Sequence, residues 1–103
     1  MSRIEQIRAL IVDEPHDAML RFALGNEYFQ LGRYAEAIEA LTAAIEIDPE
    51  YAFVYIQLAE AYEKSGHIEL AQQTVEAGRG PAVRNGDPNL MRQLDNIAAR
   101  LPA

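Results

Sequence analysis

Residues 24–38 read LGNEYFQLGRYAEAI, and residues 58–72 read LAEAYEKSGHIELAQ. Leu24 returns as Leu58, Tyr28 as Tyr62, Gly32 as Gly66 and Ala37 as Ala71, each 34 residues on. A little outside these runs, Pro15 returns as Pro49. A fixed period of that length marks a copied supersecondary unit, and such units stack to share a core. The spacing inside each copy is helical, with no β-branched alternation between hairpin turns.

Working outward, helical spacing continues to both ends. Ser2 with Glu5 fits a capping box, and Ile4, Ile7 and Ile11 share one face of a helix that should stop before Pro15. Asp17 is positioned to cap a second helix over 18–31, with Leu20, Leu24, Tyr28 and Leu31 as its buried stripe. Gly32 closes it. A third helix over 34–47 buries Ala37, Ile38, Leu41, Ala44 and Ile45, and Asp48-Pro49 ends it. The second copy repeats the plan. A helix over 51–65 carries Val54, Tyr55, Leu58, Ala61 and Tyr62, Gly66 turns the chain, and Leu70, Ala71, Thr74 and Val75 line the partner helix. Gly78-Arg79-Gly80-Pro81 then disturbs the pattern, so that helix either ends near Gly78 or continues kinked through Pro81 to Asn85-Gly86. Asp87-Pro88 opens a last helix over 88–100, with Leu90, Leu94, Ile97, Ala98 and Leu101 on its apolar side. Short connections imply antiparallel packing of successive helices.

Composition narrows the function. Half of the 103 residues are hydrophobic, which suits one globular domain and argues against disorder. Without cysteine there is no disulfide framework or thiolate site, which is compatible with a reducing cytoplasm. No run approaches the apolar length of a membrane span, and Glu5 and Arg8 interrupt any leader-like segment at the N-terminus. The net charge of −7 repels a phosphate backbone, so nucleic acid is not an expected partner. From Tyr34 to Glu76 there are nine acids and one base, Lys64. That excess serves solubility, or attracts a basic partner.

The runs Leu24-Gly25-Asn26-Glu27-Tyr28 and Gly32-Arg33-Tyr34-Ala35-Glu36-Ala37-Ile38, ending Ile47-Asp48-Pro49, resemble the tetratricopeptide repeat (TPR) family. Small residues at Gly25, Ala37 and Ala44 fit positions where the paired helices approach closely. The second copy keeps Leu58, Ala59, Tyr62, Gly66 and Ala71 but has Gly78 for the third small residue and no terminal Asp-Pro. Where the family carries Trp, this chain has Arg21 and Tyr55. The resemblance implies an all-α fold of about six helices, antiparallel hairpins stacked as a short right-handed solenoid. It divides the single domain into an N-terminal capping helix (1–14), a first repeat (18–51), a second repeat degenerate at its end (52–85) and a C-terminal capping helix (87–101). At the 34-residue offset Ile4, Ile7, Ile11 and Pro15 correspond to Ile38, Leu41, Ile45 and Pro49, so the first helix looks like the second half of a lost repeat.

No constellation supports catalysis. Ser2, Ser65, Thr42 and Thr74 lack an elbow motif, and Gly78-Arg79-Gly80-Pro81 lacks the context of a phosphate loop. His16 beside Asp13, Glu14 and Asp17 falls in a turn without ligand spacing, so neither a metal nor another cofactor is expected. His67 should face water. The resemblance implies instead an inner groove that holds a peptide or partner helix. It would be lined by Met19, Phe22, Ala23, Asn26, Phe29 and Gln30 from the first repeat. The second would contribute Phe53, Ile56, Gln57, Glu60, Glu63 and Lys64. Apolar residues on such a face mark an interaction site unless a terminal helix folds over them. Some TPR domains grip a terminal carboxylate. Asn26 matches one residue of that clamp, but Gln57 and Phe22 stand where another Asn and a Lys are required, so that activity is not expected. Glu60 and Glu63 beside Phe53 and Ile56 suggest an apolar partner with positive charge. The other reading is a scaffold or self-assembling subunit, with homo-oligomers formed through the same face.

Overall fold

The computed structural model describes residues 1–102, and among these every regular element is helical. The helices are α1 (Arg3–Asp13), α2 (Ala18–Gln30), α3 (Tyr34–Ile47), α4 (Ala52–Lys64), α5 (Ile68–Asn85) and α6 (Pro88–Arg100). Sequential neighbours pack against one another, α3 against α4 as well as within the hairpins α2–α3 and α4–α5. The first helices of the hairpins, α2 and α4, lie side by side, and α6 takes the next place in that row by packing on both α4 and α5.

Local chemistry explains the boundaries. The Glu5 amide donates to Ser2 Oγ at 3.1 Å, and the Ser2 amide donates back to Glu5 Oε1 at 3.2 Å. Those bonds hold the Glu5 carboxyl below its ordinary pKa. Asp17 and Asp87 accept from the first-turn amides of α2 and α6. The hairpin turns repeat to the atom. Arg33 N–H donates to Tyr28 O and His67 N–H to Tyr62 O, both at 2.9 Å, over Gly32 and Gly66 at φ 73° and 82°. That left-handed backbone suits glycine.

The two hydrophobic clusters share α4. Ile7, Leu24, Tyr28, Ala37, Leu41 and Ala44 form the first with Val54, Leu58 and Ala61. Ala52, Ile56 and Ala59 join Ala71, Val75, Leu90, Leu94 and Ile97 in the second. Gly25 is required by proximity, since a Cβ there would stand 2.7 Å from Leu41 Cγ and Cδ2. Two stripe residues do not pack as expected. Leu31 and Leu70 are exposed, Leu31 at the cap of α2 and Leu70 in the first turn of α5.

The Gly-Arg-Gly-Pro segment neither ends nor breaks the helix. α5 runs uninterrupted for 18 residues with Pro81 inside it, and Gly86 at φ 85° closes it. Proline there frees the carbonyl of Ala77, an exposed residue whose carbonyl can turn to water. Burial of Gly78, Pro81 and Ala82 against neighbouring helices offsets the weak local propensity.

Candidate functional site

The inner face is built from α2 and α4, which start from equivalent turns, so Met19 and Phe53 emerge at the same end. Both are open to solvent, 70% and 46% exposed. Beside them Phe22 packs on Tyr51, ring centroids 5.3 Å apart, and is only partly buried. Further along, Phe29 meets the edge of Tyr34 at 5.4 Å, and Ala23 packs on the first cluster with it. Midway, Gln57 Nε2 donates to Asn26 Oδ1 at 2.9 Å, an amide bond that ties α2 to α4. Gln30 and Lys64 are exposed.

The far side of the face is covered. α6 lies over α4, and Ile56, expected in the groove, is buried in the second cluster beneath it. Glu63, expected to be free, receives both nitrogens of a fork from Arg100 of α6, at 2.9 and 3.1 Å. That bond lowers the Glu63 pKa. Glu60 is partly buried, and desolvation raises its pKa against the opposing pull of Arg100. Arg100 thus pairs the Glu63 charge, while Glu60 is partly buried without an ion-pair partner among the described residues.

Glu60 makes a pH prediction. Its native pKa lies above the unfolded value, so its charged form costs stability above the native pKa. That cost fades as pH falls through the native pKa and is gone below the ordinary carboxylate value, about 4.3. Glu60→Gln should raise the thermal midpoint at pH 7 relative to the unaltered chain, with a smaller gap at pH 4. Midpoints at the two pH values check this; a gap that widens on acidification removes the assignment.

The turn end of the inner face carries a feature that no sequence pattern singled out. Glu14, His16, Asp17, Asp48 and Tyr51 surround an open recess of about 500 Å³ whose rim includes Met19. Asp17 and Asp48 lie close enough to Tyr51 to raise its phenol pKa together with burial, the largest cause. Acidic charge thus borders the exposed apolar end. The signal was present as Asp17 and Asp48 in the two equivalent turns, 31 residues apart, but each reads locally as a cap. His16 forms no metal-binding group with its neighbours among the described residues. His67 is exposed, with its Nδ1 2.9 Å from Ser65 Oγ. No described helix is long and apolar enough to cross a membrane.

A family model of the TPR repeat matches residues 25–66. A TPR repeat-containing protein of Pseudomonas aeruginosa is 30% identical over 98 residues, covering 95% of this chain and 93% of that protein. Among solved structures, the TPR2B domain of yeast Sti1, determined as a complex with pHsp70, superposes with a TM-score of 0.83 at 27% identity. The match covers 91% of this chain and 75% of that one. A protein from Bordetella parapertussis, solved in solution, also gives 0.83, at 26% identity over 97% of this chain and 87% of the other.

Proposed function

Because the chain belongs to the tetratricopeptide repeat family, we propose that it is a non-catalytic interaction module. It binds a peptide or partner helix at the open end of its inner face. The observation that carries this reading is the exposure of the apolar Met19 and Phe53 beside a part-buried Phe22 at one end of the face. The pHsp70 complex of the Sti1 domain supports peptide binding by this architecture. The terminal-carboxylate clamp is not the mode, since Asn26 is engaged by Gln57 and no Lys stands at Phe22.

The partner is apolar with positive charge. Its apolar side chains rest on Met19, Phe22 and Phe53, and its basic group faces Glu14, Asp17 and Asp48. Glu63 contributes less to this attraction than its sequence position suggests, because Arg100 of α6 is paired with it. The contact is modest in area, as for transient complexes.

The test uses two amphipathic helical peptides of equal apolar content, one carrying Lys and one Glu on the polar face. The Lys peptide should bind, more weakly as salt rises. Phe53→Ala should weaken it several-fold, with less loss of stability than Leu24→Ala, a core truncation worth about 2–5 kcal/mol. Isothermal titration and denaturant unfolding measure both. Preference for the Glu peptide, or a Phe53→Ala stability loss equal to that of Leu24→Ala, rules the site out.

A further inference from the structure

At one paired position of the two hairpins an arginine stands where the other has a tyrosine, and a cavity lies beside the arginine. In the second, the Tyr55 ring is 8% exposed and its hydroxyl donates to Pro49 O at 2.8 Å. In the first, Arg21 stands 34 residues earlier and its Nη2 donates to Pro15 O, the equivalent carbonyl, at 3.0 Å. The guanidinium thus copies the anchor of the phenol without its bulk. Beside Arg21 lies a cavity of about 290 Å³ between α1, α2 and α3. It touches none of the inner-face residues.

The chemistry of its wall is specific. Arg21 Nε is buried with no hydrogen-bond acceptor. Arg8, from α1, donates to Tyr28 Oη at 2.6 Å, a neutral partner. Neither arginine is paired with a carboxylate among the described residues. Glu36, on the wall, is already held by Arg33 through both oxygens at 2.7 Å. That leaves two uncompensated cations against Glu39. Ile11 and Ala43 give the same cavity an apolar side.

We propose that this cavity is a second binding site, which takes a monocarboxylate on a short aliphatic stem. The carboxylate accepts from Arg8 and Arg21, where a guanidinium fork suits two oxygens, and the stem lies on Ile11 and Ala43. Two guanidinium groups on one wall, neither with a carboxylate partner, favour an entering anion more than a lone exposed arginine does. The volume is at the small end for ligand sites and fits such a group but not a larger molecule. Glu39 disfavours dianions. The same chemistry is offered by the glutamate side chain of a partner and by a free short-chain acid.

The experiment follows the arginine Nε–H signals of ¹⁵N-labelled protein by NMR. The additions are isovalerate, N-acetyl-glutamate N-methylamide and the neutral isovaleramide. A saturable shift of the Arg21 signal with either carboxylate, absent with the amide, supports the site. Response to isovalerate alone identifies a free acid, and response to the capped glutamate alone identifies a partner side chain. Arg21→Met should abolish the accompanying shift of the Arg8 signal, and Glu39→Gln should strengthen binding several-fold. Arg8 is on the exposed side of α1, so Arg8→Met, folded by circular dichroism, carries the test should Arg21→Met not fold. No saturable Arg21 shift with either carboxylate, an equal shift with the amide, or undiminished binding in Arg8→Met overturns the proposal.

Discussion

Leu94→Ala is expected to lower the unfolding free energy by about 2–5 kcal/mol, the range for emptying a closed leucine site. Leu94 has no exposed surface. It packs among Ile56, Val75, Leu90 and Ile97, on the α6 side of the second cluster. For a chain of this length each kcal/mol moves the thermal midpoint by about 4–8 °C. Hydrogen exchange should locate the damage, with protection falling first in α6 and on the Ile56 side of α4. The Arg100–Glu63 and Arg79–Asp95 pairs, 2.9 and 2.7 Å long, will not hold α6 in place, because each keeps one partner, Arg100 or Asp95, open to solvent. A loss below about 1 kcal/mol would mean that α6 is an appendage rather than a wall of the core.

The second large effect reverses the usual helix rule. Gly78→Ala gains about 1 kcal/mol of intrinsic helix propensity, yet it should destabilise the protein. A Cβ at Gly78 would stand 2.7 Å from Tyr55 Cβ, far inside the roughly 3.5–4.0 Å of a carbon contact. Tyr55 cannot swing aside, since its hydroxyl is bonded to Pro49 O and its ring is enclosed. The helices α4 and α5 must separate instead, an overpacking cost of about 1–3 kcal/mol before any propensity gain. Gly80→Ala is the matched control. There the new Cβ meets only the guanidinium of Arg84 at 3.0 Å, the mobile end of an exposed side chain. That variant should be neutral or more stable. Denaturant midpoints of the two decide the matter, and Gly78→Ala equal to or above Gly80→Ala would defeat the close-approach argument.

Most of the fold was legible because periodicity and caps agree. Ser2, Asp17, Gly32, Gly66 and Asp87 each act where the pattern puts them. For α5 the residues leave two courses open, an end near Gly78 or continuation through Pro81 to Asn85-Gly86, and the helix takes the second: Gly78 and Pro81 weaken it locally and are retained by what buries them. The groove was legible in part. A helical stripe tells which residues share a face but not what covers it. Phe53 and Ile56 read alike, and only the position of α6 leaves one open and the other enclosed. Glu63 looked like a docking charge because Arg100 is 37 residues away in sequence. Arg21 read as a mere departure from the family, since a cavity cannot be seen until three helices bound it.

α4 has a consequence for how such a chain can grow. Its Val54, Leu58 and Ala61 belong to one interior and its Ala52, Ile56 and Ala59 to the other, so neither duplicated unit owns a private interior. Deleting a single helix would strip a neighbour bare. Lengthening by whole 34-residue blocks, inserted after α1 or ahead of α6, leaves every block flanked on both sides.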